Sequence, residues 1–261
     1  MPPVFLPDLR LNALLSGPTT APPLVLIHAL GTDLTLWDGL VAYLPQHRIL
    51  RLDLRGHGAS DAPAAPYAMG SLIRDVERVI DHFALKDCVV VGVSLGGMIA
   101  QGLAVKRLDL VRGLVLSNTA ARIGTAAQWQ DRIAQVRDQG LQAIVQPTMQ
   151  RWLGHNWRDN PALPALQRAF LATPAAGWMG CAAAIAGTDF YETTATLRLP
   201  TLAIAGGNDG STPPDLVRET ADLIPGARFQ LIQSVGHLPM AEQPQTYAAT
   251  LTAFLQAIGH H

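Results

Sequence analysis

The chain of 261 residues is 49% hydrophobic and 15% charged, too apolar for a disordered segment and long enough to bury a large core in one α/β domain with an insertion. Nineteen Lys and Arg against twenty Asp and Glu leave a net charge of −1, which excludes a bulk electrostatic footprint for nucleic acid or for an anionic membrane. Two cysteines, Cys88 and Cys181, are too few for a disulfide framework and point to a reducing, cytoplasmic setting.

The opening Met1-Pro2-Pro3-Val4-Phe5-Leu6-Pro7-Asp8 lacks a basic stretch followed by a long apolar one, so it does not read as a signal peptide, and no run reaches transmembrane length. Residues 24–27 predict a buried strand that leads into the loop His28-Ala29-Leu30-Gly31. Residues 48–52 predict a second strand, followed by Asp53-Leu54-Arg55-Gly56-His57-Gly58-Ala59-Ser60, which reads as a structural turn. Helical periodicity covers 71–83, and residues 88–91, Cys-Val-Val-Val, predict the next strand. Directly after it come Gly92-Val93-Ser94-Leu95-Gly96 and a helix-like stretch over 97–106. Runs at 113–116, 201–205 and 228–232 predict further strands, and 215–224 and 242–257 further helices. Near-continuous hydrophobicity suits strands buried on both faces, and the alternation predicts an α/β fold with a mostly parallel sheet flanked by helices.

Between 121 and 187 the alternation fails. Helix-like segments follow one another: 128–139 sets Trp129, Ile133 and Val136 on one face, and 141–153 continues with Ile144, Val145, Met149 and Trp152 around Pro147. Four of the five tryptophans, Trp129, Trp152, Trp157 and Trp178, fall in this stretch. It reads as a helical cap, residues 121–187, over the sheet's C-terminal edge, with 1–120 and 188–261 forming the core domain.

Strand, tight turn and helix around Ser94 are the context of a G-x-S-x-G nucleophile elbow. The turn strains the serine backbone, small neighbours relieve the crowding, and the helix N-terminus offers N–H groups to a developing oxyanion. Such a serine needs a base and an acid to orient it. Of eight histidines, His237 is the candidate base, since it follows the last strand through Gln233-Ser234-Val235-Gly236. Asp209, ending Gly206-Gly207-Asn208-Asp209 after the 201–205 strand, is the candidate acid and completes the chain order Ser, Asp, His. The end of the 113–116 strand carries Ser117-Asn118 and offers no carboxylate, and Asp189 at the cap's exit is the weaker alternative. Leu95 is expected to supply one oxyanion N–H and Leu30 the other, with Ala29 as the alternative. His57 reads as part of its turn, while His47, His82 and His155 are isolated; no metal spacing is present and no cofactor is implied. His260 and His261 are set aside from the site.

These motifs, His28-Ala29-Leu30-Gly31, the 53–60 turn, Gly92 to Gly96, Asp209 and Gly236-His237, resemble the α/β-hydrolase family over essentially the whole chain. Three less generic segments resemble the 3-oxoadipate enol-lactonase family: residues 30–38 (Leu-Gly-Thr-Asp-Leu-Thr-Leu-Trp-Asp), residues 117–124 followed by Trp129, and Ala172-Thr173-Pro174 with Gly177 and Gly180-Cys181. That resemblance implies a cytoplasmic serine hydrolase that opens an enol-lactone with water to give 3-oxoadipate in the β-ketoadipate pathway of aromatic breakdown. The family more often carries Asn-Ser where this chain has His28-Ala29, and His28, bordering the oxyanion loop, joins the substrate-binding candidates.

Charge offers an independent expectation. Residues 121–187 hold six arginines against three aspartates with no Lys or Glu, about +3 against −4 for the remainder, a bias toward an anionic substrate. Arg132, three residues after Trp129 on the same helix, and Arg122 are the candidate carboxylate partners beside that aromatic wall. A general carboxylesterase, another lactonase, a cofactor-free perhydrolase or haloperoxidase, and a non-catalytic receptor of the same fold are the alternatives. The oligomeric state is not specified by the sequence.

Overall fold

A computed structural model describes residues 4–6, 8–154 and 157–261. Met1, Pro2, Pro3, Pro7, His155 and Asn156 lie outside the described residues, as do the side chains of Phe5 and Trp157. The strands are β1 (Val4–Phe5), β2 (Arg10–Leu11), β3 (Ala13–Ser16), β4 (Pro23–Ile27), β5 (Arg48–Leu52), β6 (Cys88–Val93), β7 (Val111–Ser117), β8 (Thr201–Gly206) and β9 (Arg228–Ile232). β1 and β2 form a separate antiparallel ribbon. The other seven build one sheet in the order β3-β5-β4-β6-β7-β8-β9, parallel throughout except for β3 against β5. β6 is therefore central, and its six residues are all buried, as Val-rich parallel strands covered on both faces must be.

The helices that carry the chain between parallel strands are α1 (Asp38–Val41), α2 (Met69–His82), α3 (Leu95–Lys106), α8 (Tyr191–Ala195) and α9 (Pro214–Asp222), while α10 (Pro239–Glu242) and α11 (Pro244–Ala257) follow the last strand; between β7 and α8 lie α4 (Ala126–Gln139), α5 (Val145–Leu153), α6 (Leu163–Ala172) and α7 (Ala175–Ala186). α2 is amphipathic, burying Leu72, Val76, Val79 and Ile80, whereas α3 is buried from Leu95 to Ala104 because it packs against both the sheet and α2. α4 begins at a reciprocal capping box between Thr125 and Gln128, and α5 ends where Gly154 takes φ 73°.

Several boundaries differ from the sequence reading. The 242–257 helix is two helices, because Pro244 has no N–H to continue the first. The 141–153 stretch is a 3₁₀ turn, Leu141–Ala143, followed by α5, with Pro147 in its first turn where the missing donor costs nothing. β9 is an edge strand with Arg228 and Gln230 exposed, so its expected burial on both faces does not hold. β1, β2 and β3 escaped periodicity because two to four residues are too few to show it.

One hydrophobic cluster runs from sheet residues such as Leu26, Val91 and Leu116 into the cap through Trp129, Val136, Met149, Phe170 and Trp178. Helices α4 to α7 thus share one hydrophobic core with the sheet. Among the described residues no single helix is long and apolar enough to cross a membrane; the pair α6 and α7 has the length and composition together, but turns through 97° between them and buries Phe170 and Trp178 in this core.

Candidate active site

Ser94 stands between β6 and α3 with φ 56° and ψ −116°, a left-handed conformation that a serine adopts only when its surroundings force it. The surroundings do. A Cβ at Gly96 would sit 2.2 Å from the carbonyl oxygen of Ile27, and one at Gly92 2.2 Å from that of Gly96, so both glycines let β4, β6 and α3 close around the turn. Ser94 N–H donates to Ser117 O at 3.1 Å, and Thr119 Oγ1 donates to Ser94 O at 2.6 Å, holding the turn from β7.

The loop after β9 carries His237 and the loop after β8 carries Asp209, and the sheet order makes those strands neighbours. His237 Nδ1 lies 2.8 Å from Asp209 Oδ2, with both side chains buried. Asp209 is gripped on its other lone pairs by the N–H groups of Ser211 and Thr212 at 2.7 and 3.1 Å, by Thr212 Oγ1 at 2.7 Å and by Asn118 Nδ2 at 2.8 Å. Burial pushes its pKa up, but His237 and these donors more than offset that and hold it below the usual carboxylate value. Asn118 is the residue at the β7 end that the sequence reading dismissed for lacking a carboxylate. It takes φ 46°, and its amide ties Asp209 to Gly236 O at 3.2 Å. Its only sequence signal is an Asn, tolerant of the left-handed region, at the end of a strand.

The cap fastens the histidine loop. His237 N–H donates to Trp152 O at 2.6 Å, Gly210 N–H donates to Arg151 O at 2.9 Å, and the Trp152 ring stacks on His237 with centroids 6.0 Å apart. The last carbonyls of α5, which have no acceptor role inside the helix, thereby position the loops that carry His237 and Asp209.

Ser94, His237 and Leu30 line one cavity of about 400 Å³, at the small end of ligand pockets. Leu95 is the first residue of α3, so its N–H has no acceptor within the helix. On the β4 side the Gly31 N–H is committed to His57 Nε2 at 2.9 Å, and Ala29 is buried without lining the cavity, which leaves Leu30 as the residue facing it.

Two substrate-binding candidates do not face the cavity. His28 is wholly buried: Nδ1–H donates to Ala29 O at 2.8 Å and Nε2 accepts from Leu54 N–H at 2.9 Å, so it braces the loop that carries Leu30 from behind. Sequence adjacency to the loop could not say which way the imidazole turned. Arg122 is exposed and pairs with Asp189 at 3.4 Å, which places both on the outside of the cap and removes Asp189 as the weaker acid. His57 completes the brace from its turn, and its Nδ1–H donates to Arg55 O at 3.2 Å. Burial drives both histidines down, His28 to about 4 and His57 to about 3, so both are neutral acceptors at neutral pH.

Trp129 and Arg132 do line the cavity. Trp129 Nε1 donates to Ile123 O at 2.6 Å, which fixes the ring, and the Arg132 guanidinium lies over it at 4.6 Å and over the Trp178 ring at 5.4 Å. Among the described residues no cluster of three or more His, Cys, Asp or Glu side chains converges in a way that could hold a metal.

A family model described as alpha/beta hydrolase fold matches residues 22–244. The 3-oxoadipate enol-lactonase 2 of Acinetobacter baylyi is 31% identical to this chain, over 95% of it and 94% of the relative. Among solved structures, the enol-lactonase of Burkholderia xenovorans LB400 superposes with a TM-score of 0.93 at 31% identity, covering 98% of this chain and all of that one (100%). A hydrolase from Pseudomonas aeruginosa PA01 gives 0.89 at 34% identity, covering 95% and 94%.

Proposed function

The chain belongs to the alpha/beta hydrolase family and is a hydrolase of carboxylic esters, and from that premise we propose that it opens a small carboxylate-bearing lactone, 3-oxoadipate enol-lactone, to 3-oxoadipate. The observation that carries the substrate class is Arg132, held over the Trp129 and Trp178 rings in the cavity that Ser94 and His237 line. A fixed guanidinium beside an aromatic wall suits a flat ring bearing a carboxylate, and two relatives named as enol-lactonases support that choice over a neutral ester. Residues 121–187 act as the cap that supplies this wall, and two buried free cysteines, Cys88 and Cys181, support a cytoplasmic setting.

In this reading Asp209 accepts the Nδ1 proton of His237, so Nε2 is the basic nitrogen. It takes the Ser94 proton as the oxygen attacks the lactone carbonyl, and the N–H groups of Leu95 and Leu30 receive the oxyanion. His237 gives that proton to the ring oxygen as the ring C–O bond breaks, the resulting enol, still part of the acyl chain, tautomerises to a ketone, and Ser94 is left as an acyl ester with His237 neutral again. Water, deprotonated by His237, attacks that ester, and the proton returned to Ser94 releases the dicarboxylate. Ser94→Ala is expected to abolish turnover with an unchanged circular dichroism spectrum; hydrolysis at the parent rate would overturn the proposal. The substrate is tested by comparing kcat/KM on the enol-lactone with that on neutral 4-nitrophenyl esters, where equal values would favour a general carboxylesterase.

A further inference from the structure

The cap holds a second arginine at the cavity. Arg151, on α5, lines it together with Arg132 on α4. Neither makes an ion pair with a carboxylate among the described residues, in contrast to the exposed Arg122 and Arg137, which pair with Asp189 and Asp138. Arg151 has one polar side-chain partner among those residues, Thr148 Oγ1 at 3.2 Å, and Arg132 has the two indole faces. Among the described residues Asp131 is the one carboxylate lining the cavity; it is solvent-exposed and forms an ion pair with neither guanidinium.

Half-buried guanidiniums stay protonated, so two of them facing one cavity without counterions cost folding free energy. Burial lowers the pKa of both, Arg132 to about 9 with the charge of Arg151 adding to the effect.

We propose that Arg132 and Arg151 form one anion subsite, which takes the free carboxylate of a small lactone, ester or dicarboxylate while Ser94 faces the scissile carbonyl. The inference rests on the hydrolase reading of Ser94, and it assigns Arg151 a role that neither sequence nor resemblance suggested. The subsite is also held at a set distance from the reaction. Arg151 O and Trp152 O accept the Gly210 and His237 N–H groups, so the backbone bearing Arg151 is joined to the loops of the acid and the base. Selection is then by the separation of carboxylate and carbonyl within the substrate, because a charged fork at a fixed offset rewards only one chain length.

The test uses Ser94→Ala protein titrated with succinate, glutarate and adipate at constant ionic strength, read by calorimetry and by the rise in Tm. Arg151→Gln and Arg132→Gln in that background are each expected to weaken dicarboxylate binding about ten-fold or more, while Arg122→Gln, outside the cavity, changes nothing. Without anion, Arg151→Gln is expected to raise Tm, since it removes an unpaired charge; a residue with a purely structural role would lower it. In the active enzyme, the ratio of kcat/KM for mono-4-nitrophenyl glutarate to that for 4-nitrophenyl butyrate is expected to fall about ten-fold in Arg151→Gln, with Arg151→Lys intermediate. Undiminished dicarboxylate binding by Arg151→Gln, or a lower Tm with an unchanged ester ratio, overturns the subsite. Anion binding lost in Arg151→Gln, in a protein that hydrolyses neither ester, would leave the subsite standing and remove the hydrolase reading instead.

Discussion

Acid should unfold this protein through the two histidines behind the loop that carries Leu30, well above the pH at which carboxylates titrate. His28 and His57 are fully buried and neutral, each accepting a backbone N–H on Nε2, with pKa values drawn down from 6.5 to about 4 and about 3. Below pH 6.5 the unfolded chain protonates both imidazoles while the folded chain does not, so the unfolded state binds more protons. The stability these groups contribute is therefore complete above pH 6.5 and drains away as pH falls toward their folded values. At about 1.4 kcal/mol per pH unit and per group, moving from pH 6.5 to 5 removes about 2 kcal/mol for each histidine and about 4 kcal/mol for the pair. Urea unfolding followed by tryptophan fluorescence at pH 7, 6 and 5 measures the loss. His57→Gln keeps an oxygen able to accept the Gly31 N–H but cannot titrate, and the loss between pH 7 and 5 is expected to shrink by about 2 kcal/mol. A variant that loses as much stability as the parent over that interval would refute the reasoning, since the titration would then lie elsewhere.

Two further substitutions test the joints of the site. A Cβ on Gly236 would lie 1.8 Å from Trp152 O, a backbone atom that cannot swing aside, so Gly236→Ala is expected to pry α5 from the histidine loop and break the His237 to Trp152 bond. A fall in kcat/KM of at least about ten-fold with a lower Tm is the expected result, and parent-like kinetics would show that the cap does not position His237. Asn118→Ala removes a donor to a buried carboxylate, leaves Gly236 O with one fewer partner and puts a non-glycine Cβ without compensating bonds at φ 46°. A loss of about 2–4 kcal/mol in chemical unfolding is expected. Because Asp209 then has fewer groups favouring its ionised form, its folded pKa rises toward the ordinary carboxylate value, so the stability lost as pH falls below that value is expected to be smaller than in the parent and to be exhausted at a higher pH; an acid loss as deep as the parent's would argue against the role given to Asn118.

What the sequence determined by itself is whatever depends on neighbours in the chain. Val-rich runs separated by helical periodicity specify a parallel sheet, and Gly92 to Gly96 between one such run and α3 specifies a strained turn, because burial on two faces and steric crowding are local demands. The end of a strand likewise marks where Asp209 and His237 enter, since loops at the C-terminal edge of a parallel sheet converge. Only the tertiary structure decided which way side chains turn once segments distant in sequence meet. Arg122 and Arg132 look alike as cap arginines; packing sends the first to solvent and Asp189, and lays the second over Trp129 and Trp178. His28 borders the oxyanion loop in the chain but hydrogen-bonds backward to Leu54, and Asn118, set aside for its lack of charge, reaches Asp209 across 91 positions. Arg151 carries no sequence mark at all. It reaches the cavity because α5 ends on the loops that hold Asp209 and His237, and that closure is a property of the folded chain alone.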